Sequence, residues 1–261
     1  MNKAPEQQGT STKAASRTAL VSGAASGIGL AIARALARRG HPVAMFDIQA
    51  EPLQQAANAL RQEGYRVSAH SVDVAQRSQV DHAMNLVRAE LGAISIAITS
   101  AGVDANDPFL TMSLESWNRV LSINLTGAFN CLQAAIPDMV AAGWGRVVTI
   151  SSSSAQSGAP DRAHYVASKG GLIALTKALS YEFAPRGITV NTIPPSIIDT
   201  PMVAHATKAG YFPGIEVIAP MTPVRRAGTP DDVCAACVFL CGDEAGFITG
   251  QQIGVNGGWY M

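Results

Sequence analysis

The feature that most restricts the fold of this chain is a repeated alternation of short apolar segments with longer segments of helical pattern. The apolar segments are, in order, TALVS, PVAMFD, RVSAHSVD, ISIAITSAG, GRVVTISSSS, GITVNTIPP and QQIGVNGG. Strands that are apolar along their whole length are buried on both faces of a sheet. Because helical segments separate most of these strands, we expect a parallel sheet with helices on both sides.

The helical segments have limits that the sequence indicates approximately. They cover GLAIARALARRG, about Pro52 to Glu63, about Ser78 to Leu91, about Leu114 to Ala142, the segment around Tyr165, and about Pro230 to Leu240. No internal repeat or linker interrupts residues 18–261, which we therefore expect to form one domain.

Residues 195–228 depart from this pattern. They are rich in Pro, Gly, Met and aromatic residues and have no strong period until TPDDV begins the last helix. Long connections of this kind are usually lids or binding loops. This one follows the carboxyl end of a strand, where open α/β sheets bind ligands, so we expect a substrate lid over about residues 195–228.

Composition and charge exclude several classes of partner. Of the 261 residues, 48% are hydrophobic and 15% charged, which is ample material for a buried core. The 19 basic and 19 acidic residues give a net charge of zero, so the chain has no electrostatic footprint for nucleic acid or an anionic membrane. No apolar run approaches the length of a membrane span.

The N-terminal residues 1–17, MNKAPEQQGTSTKAASR, are polar and lack the apolar segment of a secretory signal. We expect a disordered leader there and a cytoplasmic protein. Cys234, Cys237 and Cys241 recur at helical spacing on one apolar face. The segment CAAC resembles a metal or redox pair, but no second pair or nearby histidine completes a site. We expect small core residues and no metal.

A glycine-rich turn, SGAASGIG, places Gly23, Gly27 and Gly29 directly after the first strand and at the opening of the first helix. Glycines allow a sharp turn and let backbone amides approach a pyrophosphate at the positive end of the helix. A kinase-type phosphate loop would need Lys-Ser/Thr after the last glycine, and GIGLAI has neither. The turn therefore predicts a dinucleotide site in a single-domain Rossmann fold, a doubly wound parallel sheet of about seven strands.

The residue that closes the second strand indicates which dinucleotide is bound. Asp47 lies roughly 20 residues beyond the turn, where a carboxylate can accept both ribose hydroxyls and would repel a 2′-phosphate. Proteins that bind NADP tend to have a basic residue in the glycine turn or just after the position of Asp47. This chain has Ser26 and Ile48 at those places. Arg38 and Arg39 lie at the far end of the first helix. The predicted cofactor is NAD.

The glycine turn, SAG, INLTG, the serine cluster, YVASK and PPSIIDTPM together resemble the short-chain dehydrogenase/reductase family. The motifs occur in the family order from about Thr18 to Trp259, nearly the whole chain. The resemblance implies an NAD-dependent alcohol dehydrogenase or ketone reductase with a small-molecule substrate.

The resemblance also implies individual site residues. The catalytic group is Asn124, Ser152, Tyr165 and Lys169, with Ser152 chosen from four serines because the family serine usually precedes the tyrosine by 13 residues. The cofactor contacts are Gly23, Ser26, Gly27, Ile28, Gly29, Asp47, Ile48, Asp73, Val74, Ser100, Ala101, Gly102, Tyr165, Lys169, Pro195, Ile198 and Thr200. The substrate contacts are Ser152, Ser154, Tyr165, Ser196 and Met202.

Three residues depart from the family pattern: Ser22 replaces threonine, Ser100 replaces asparagine, and Ser196 replaces glycine. We expect the first two to loosen hydrogen bonds between sheet and turn, and the third to reshape the floor of the pocket.

Tyr165 and Lys169 lie four positions apart, so they are neighbours on a helix. A free tyrosine has a pKa near 10, and lowering it by about three units requires roughly 4 kcal/mol of preferential stabilisation of the anion. We expect the Lys169 ammonium and the positive nicotinamide ring to supply it. Ser152 would donate to the substrate oxygen, and Asn124 would hold a water that connects Lys169 to solvent.

The sequence says less about the substrate. The lid offers apolar and aromatic side chains, which predict a mostly apolar alcohol or ketone such as a hydroxysteroid or a cyclic alcohol: Met202, Val203, Tyr211, Phe212, Ile215 and Met221. The same side chains could instead pack against the core or a neighbouring subunit. The helices near residues 114–142 and around Tyr165 are too apolar for isolated surface helices, and together with the family likeness they predict a homo-oligomer, a tetramer.

Two alternative functions remain open. The first is reduction of a 3-oxoacyl thioester on a carrier protein: Arg186 lies where such reductases often have a carrier-docking arginine, while Asp47 argues against NADPH. The second is a non-catalytic nucleotide-sensing scaffold. Such a protein is expected to have lost some of its catalytic residues, whereas Asn124, Ser152, Tyr165 and Lys169 are all present.

Overall fold

The structure is a computed structural model that describes residues 16–261. Its strands are β1 (Thr18–Ser22), β2 (Val43–Asp47), β3 (Val67–Ser71), β4 (Ile94–Thr99), β5 (Gly145–Ile150) and β6 (Ile188–Ile193). Its helices are α1 (Gly27–Arg38), α2 (Ala50–Gln62), α3 (Arg77–Leu91), α4 (Leu114–Leu121), α5 (Gly127–Ala142), α6 (Ser154–Ser157), α7 (Ala163–Phe183), α8 (Pro201–Lys208), α9 (Ile215–Ile218) and α10 (Pro230–Leu240).

The six strands form one parallel sheet in the order β3-β2-β1-β4-β5-β6. This is the predicted doubly wound Rossmann arrangement, in which successive strands are added on one side of β1 up to β3 and then on its other side from β4 onward. The seventh predicted strand, QQIGVNGG, contributes only isolated parallel bridges to β6 and its extension, such as Thr192 with Gln252. Gly250 and Gly257, with φ angles of +72° and +60°, bound this segment.

Helices cover both faces of the sheet and bury it, as the apolar strands predict. On one face α1 and α10 pack with side chains such as Ile32, Leu36 and Cys237, so the cysteines of CAAC lie in the core. On the other face α3 and α5 contribute Met84 and Leu132. No helix within residues 16–261 combines the length and apolarity needed to cross a membrane.

The single long helix predicted over residues 114–142 is wrong in one respect. A π-helical turn, Ser122–Thr126, separates α4 from α5, and the N–H of Gly127 donates to the carbonyl of Ser122 across it. Such turns widen the helix locally and often lie at functional sites. This one places Asn124 inside the molecule, fully buried. Apolar periodicity does not report a one-residue widening of this kind.

The predicted lid is more regular than its composition indicates. Helix α8 begins after Thr200, whose hydroxyl accepts from the N–H of Val203 at 3.4 Å, and Pro201 occupies its first position. A threonine cap followed by proline is a helix start. The sequence therefore contains a local signal for α8 that the absence of a strong apolar period hides.

The predicted leader falls almost wholly on residues 1–15, outside the described residues. Arg17, the last residue of the predicted leader, contacts the folded domain, and the prediction for the leader itself stays a prediction. The Arg17 guanidinium lies 3.5 Å from the centre of the Trp144 ring and 2.8 Å from a carboxylate oxygen of Asp243. The predicted association through α5 and α7 stays a prediction, although Phe129 and Tyr181 on these helices are exposed.

Truncation of Leu36 tests the packing of α1 on the sheet. Leu36 is fully buried in the cluster beneath α1, so Leu36→Ala should lower the free energy of unfolding by about 2–5 kcal/mol through lost burial and a cavity. Leu86→Ala, at a position 40% exposed on α3, is the matched control and should cost far less. Urea denaturation measures both, and equal losses would contradict the packing described.

Candidate active site

A cleft of about 700 Å³ opens at the carboxyl edge of the sheet, beside the turns that follow the neighbouring strands β1 and β4. The turns after β1, β2, β4, β5 and β6 line it together with the lid. Every residue predicted to contact cofactor or substrate faces this cleft. Of the predicted catalytic group, Ser152, Tyr165 and Lys169 line it, whereas Asn124 lies buried behind its wall.

The glycine turn forms one end of the cleft and cannot accommodate side chains. A Cβ on Gly29 would lie 2.0 Å from the carbonyl oxygen of Gly23, and a Cβ on Gly23 would lie 2.8 Å from the Cα of Ala101. Gly23 and Gly27 also have φ angles of +69° and +53°, which favour glycine. Ser26 caps α1 without a side-chain hydrogen bond, so the first amides of the helix are left to a ligand.

Asp47 closes β2 beside this turn. The side chain is 8% exposed, and its two oxygens accept from the N–H groups of Ala25 and Gln49, each at 3.0 Å. Each oxygen keeps a lone pair for a ribose hydroxyl. Ile48 next to it is exposed, and Asp73 and Val74 extend the same wall. The tight turn, the helix start and this held carboxylate fit the adenosine half of a nicotinamide dinucleotide.

The turn after β4 is fixed to the turn after β1 by one hydroxyl. The Oγ of Ser22 accepts from the N–H groups of Ser100 and Ala101, both at 3.2 Å. Serine at position 22 therefore keeps the link between sheet and turn, and the expected loosening relative to threonine stays a prediction. Ser196 joins the cleft floor to the C-terminal segment, donating from its Oγ to the carbonyl of Asn256 at 3.0 Å.

Asn124 organises the wall rather than facing the cleft. Its Oδ1 accepts from the N–H of Val103 at 2.8 Å, and its Nδ2 donates to the carbonyl of Val103 and to the Oγ of Ser168. Both amide hydrogens are therefore in use, and only a lone pair on Oδ1 is left for the expected water. Gly102 packs against this amide so closely that a Cβ would lie 3.1 Å from Oδ1.

Tyr165 and Lys169 lie one turn apart on α7, and both are almost wholly buried. The Lys169 Nζ donates to the carbonyl of Ile150 at 2.9 Å and lies 5.8 Å from the centre of the Tyr165 ring. Burial lowers the pKa of Lys169 to about 8, although Asp104 opposes this shift.

Burial also raises the pKa of Tyr165, and the nearby Arg162 only partly opposes it. The predicted lowering of this pKa by Lys169 is thus not a property of the chain's own residues, because desolvation of the phenolate outweighs the neighbouring cations. Among the chain's own residues, the net effect on the pKa of Tyr165 therefore favours the phenol form at neutral pH.

Serines line the cleft near Tyr165. Ser152 is 8% exposed, and its Oγ accepts from the N–H of Ser154 at 3.2 Å. A side-chain hydrogen bond with Ser152 acts to lower the pKa of Tyr165, against the larger effect of burial. The lid contributes Met202, Val203, Tyr211 and Phe212 to the cleft, as predicted, and Trp259 enters from the C-terminal segment.

Sequence reasoning missed an ion pair in the cleft. Asp104 follows the SAG motif after one residue, and Arg162 precedes Tyr165 by three residues, one helical turn. Their side chains meet with 2.6 Å between Nη2 and Oδ1, and both face the cleft. Proximity to two recognised motifs was the available signal, but opposite charges 58 residues apart do not indicate a contact.

His164 was missed as well. It is fully buried, its Nδ1 accepts from the N–H of Tyr165 at 2.8 Å, and its Nε2 donates to Asp107 at 3.1 Å. Asp107 also accepts from Ser116 on α4. This chain of hydrogen bonds ties the start of α7 to the loop after β4 and so fixes the position of Tyr165.

Comparisons with known proteins agree with this architecture. A family model described as "Enoyl-(Acyl carrier protein) reductase" matches residues 23–260. An acetoacetyl-CoA reductase of Rhizobium meliloti is 39% identical over 94% of this chain and 99% of its own. A D-threitol dehydrogenase of Mycolicibacterium smegmatis is 37% identical over 93% of this chain and 92% of its own.

A solved structure extends the likeness to three dimensions. The short-chain dehydrogenase/reductase from Brucella melitensis, titled glucose/ribitol dehydrogenase, superposes with a TM-score of 0.86 at 34% identity, over 94% of this chain and 97% of that one. Sequence and structure therefore agree over nearly the whole chain, and it belongs to the short-chain dehydrogenase/reductase family of nicotinamide-dependent oxidoreductases.

Proposed function

We propose that this protein is an NAD(H)-dependent oxidoreductase that interconverts a secondary alcohol and a ketone. The observation that carries the proposal is the convergence of Ser152, Tyr165 and Lys169 on the floor of one cleft whose far end is the glycine turn. A hydroxyl donor, a proton-transferring phenol and a buried cation beside a dinucleotide site form the group that carbonyl reduction needs.

Each side chain has a distinct part in this mechanism. The nicotinamide, when bound, supplies or accepts the hydride. Tyr165 gives its phenolic proton to the ketone oxygen in reduction and is left as the phenolate; burial, which raises its pKa, favours the phenol form that this step needs. In oxidation the phenolate form takes the hydroxyl proton of the alcohol and becomes the phenol again. Ser152 donates a hydrogen bond to the same oxygen and stabilises its developing negative charge.

Lys169 and Asn124 support Tyr165 and Ser152 without contacting the substrate in this scheme. The Lys169 ammonium, anchored by the carbonyl of Ile150, stabilises negative charge on the Tyr165 oxygen after proton transfer. Asn124 holds the loop at Val103, which places Gly102 against the Lys169 ammonium. Asn124 is therefore a positioning residue in this scheme.

The preference for NAD rests on Asp47 and its surroundings. Asp47 would accept the ribose hydroxyls at the end of β2. Among the described residues that line the cleft, the basic ones are Arg119, Arg162 and Lys169. All three lie after β4 in the chain, whereas Asp47 lies at the end of β2. Within residues 16–261, no basic side chain lines the cleft on the turns after β1 and β2, where it would offset the repulsion of a 2′-phosphate by Asp47.

A second candidate is reduction of a 3-oxoacyl thioester. It is supported by the acetoacetyl-CoA reductase from Rhizobium meliloti, which matches over nearly its whole length. Arg186 is exposed on the turn before β6, where it is accessible to a carrier. Asp47 weighs against the NADPH that the sequence analysis associates with such reductases. Turnover of acetoacetyl-CoA exceeding that of simple ketones would favour this candidate.

Substitution of Tyr165 tests the proposed proton transfer. Tyr165→Phe removes only the hydroxyl, and turnover should fall by about 10²- to 10⁴-fold or more, the usual contribution of general acid–base catalysis. Binding of NADH, followed by fluorescence titration, should survive. Tyr181→Phe on the same helix, at a position 90% exposed, is the matched control and should keep its rate. A near-wild-type rate in Tyr165→Phe would remove this residue from the mechanism.

Cofactor preference tests the role of Asp47. A carboxylate close to a 2′-phosphate should make kcat/KM for NAD exceed that for NADP by about 100-fold, a repulsion of roughly 3 kcal/mol at intermediate dielectric. Asp47→Ser should narrow this ratio by about 10-fold or more. Asp81→Ser, which alters a half-exposed carboxylate on α3, should leave it unchanged. Equal use of both cofactors by the unaltered protein would contradict the assignment.

The pH dependence of reduction tests the charge of Lys169. The cation is present below its pKa of about 8 and is lost above it, so kcat/KM for ketone reduction should be level at neutral pH and fall as pH rises through about 8. Burial raises the pKa of Tyr165, which therefore stays protonated over this range. In Lys169→Arg the cation persists, and the fall should disappear. A rate that rises through pH 8 would contradict this role.

A further inference from the structure

The proposed mechanism does not use the ion pair of Asp104 and Arg162 in the cleft wall. One oxygen of Asp104, Oδ1, accepts from Arg162 Nη2 at 2.6 Å and from Nε at 3.0 Å. The two side chains are 10% and 24% exposed, and both line the cleft. The Arg162 guanidinium carbon lies 4.3 Å from the centre of the Tyr165 ring, so the pair is adjacent to the proposed reacting group.

The backbone holds this pair in place. Asp161, next to Arg162, has a φ angle of +56°, a conformation that is uncommon for a residue with a side chain, and its carbonyl accepts from the N–H of Asp107 at 2.7 Å. The N–H of Ala105 donates to Oδ1 of Asp104 at 2.9 Å. These hydrogen bonds join the loop after β4 to the loop before α7. The backbone that carries Asp104 and Arg162 is therefore held in place.

The pair keeps hydrogen-bonding capacity toward the cleft. All three donors to the Asp104 carboxylate use Oδ1, and within residues 16–261 the other oxygen, Oδ2, accepts no hydrogen bond. Arg162 uses Nε and Nη2 for Asp104, and its guanidinium also forms a side-chain hydrogen bond with Tyr165 that acts to lower the pKa of Tyr165. Since a guanidinium has five N–H donors, Arg162 keeps further donors for a ligand. One wall of the cleft therefore offers both an acceptor and a donor a few ångströms from Tyr165.

We propose that Asp104 and Arg162 recognise a second oxygen of the substrate next to the reacting carbon, so that the preferred substrates are neutral vicinal diols and the corresponding hydroxyketones. This inference rests on the proposed alcohol–ketone function and specifies its substrate class. A hydroxyl can donate to Oδ2 of Asp104 and accept from the Arg162 guanidinium at once.

Charge and desolvation favour a neutral hydroxylated substrate over the alternatives. The two charges cancel, and a carboxylate or phosphate that approached Arg162 would also meet the Asp104 carboxylate. An alcohol with only alkyl groups would cover the pair without replacing its lost water. The apolar side chains that were expected to define the substrate, such as Met202 and Phe212, belong to the lid. They suit the alkyl part of a diol.

Matched substrates that differ by one hydroxyl test the inference. The unaltered protein is assayed with NAD on 2-alkanols and 2,3-alkanediols of four to eight carbons, with 3-hydroxybutyrate as the anionic comparison. We expect kcat/KM for each diol to exceed that for its 2-alkanol by about 10- to 100-fold, the effect of a hydrogen bond to charged groups. We expect 3-hydroxybutyrate to be poorer than 2,3-butanediol.

A double variant assigns the preference to the ion pair. Asp104→Leu with Arg162→Leu removes both charges together and leaves neither unpaired, and the ratio of diol to 2-alkanol should fall to about 1. The matched control, Arg77→Gln with Asp81→Asn, removes a pair on α3 outside the cleft and should keep the ratio of the unaltered protein. Because the measurement is a ratio within one variant, a general loss of rate does not affect it.

The outcomes separate this inference from the function on which it rests. If the 2-alkanols are oxidised as well as the diols, or 3-hydroxybutyrate better than 2,3-butanediol, the inference is overturned while the alcohol–ketone function stands. A preference for diols that persists in the double variant overturns the role of Asp104 and Arg162. Absence of turnover on every alcohol, with acetoacetyl-CoA reduced instead, overturns both the proposed function and this inference.

Discussion

The arrangement of the cleft depends on how closely two turns approach each other at the carboxyl edge of the sheet. Gly23 lies against the backbone of Ala101, and Gly29 lies against Gly23, at distances that leave no room for a Cβ. The Ser22 hydroxyl then bridges the turns by accepting two amides of the second one. Because β1 and β4 are the neighbouring strands at which the strand order reverses, this contact fixes the dinucleotide end of the cleft relative to the loop that carries Gly102 and Asp104.

Burial is the second constraint, and it shifts the pKa values of Tyr165 and Lys169 in opposite directions. It raises the pKa of Tyr165 and lowers that of Lys169, so each group is driven toward its neutral form. Lys169 still carries its proton at neutral pH because its pKa is about 8. The chain's own residues therefore prepare a phenol that can donate and a cation that can stabilise the anion formed. This electrostatic state suits the delivery of a proton to a carbonyl oxygen.

Most of the fold and the outline of the candidate site could be predicted from sequence because they depend on local patterns. Apolar strands, the glycine turn and the spacing of Tyr165 and Lys169 are each contained in a few consecutive residues, and β1 and α10 have the predicted limits. The π turn around Asn124 could not be predicted, since one extra residue per turn leaves apolar periodicity almost unchanged. The burial that raises the pKa of Tyr165 among the chain's own residues could not be predicted either, because it depends on how completely the whole fold desolvates the ring. The predicted lowering by Lys169 together with a bound nicotinamide ring stays a prediction.

The ion pair of Asp104 and Arg162 shows where local patterns stop being informative. Each residue lies next to a recognisable motif, but their contact depends on the left-handed backbone at Asp161 and on the bond from Asp107 to its carbonyl. Two opposite charges held a few ångströms apart create little net electric field. Their hydrogen bonds to a ligand are nevertheless strongly directional, because the acceptor and the donor face the same space. Such a pair discriminates by the number and position of neutral polar groups rather than by charge. Apolar side chains of the lid also line the cleft. In the proposed function they would contact the alkyl part of the substrate, while the ion pair would contact its second oxygen.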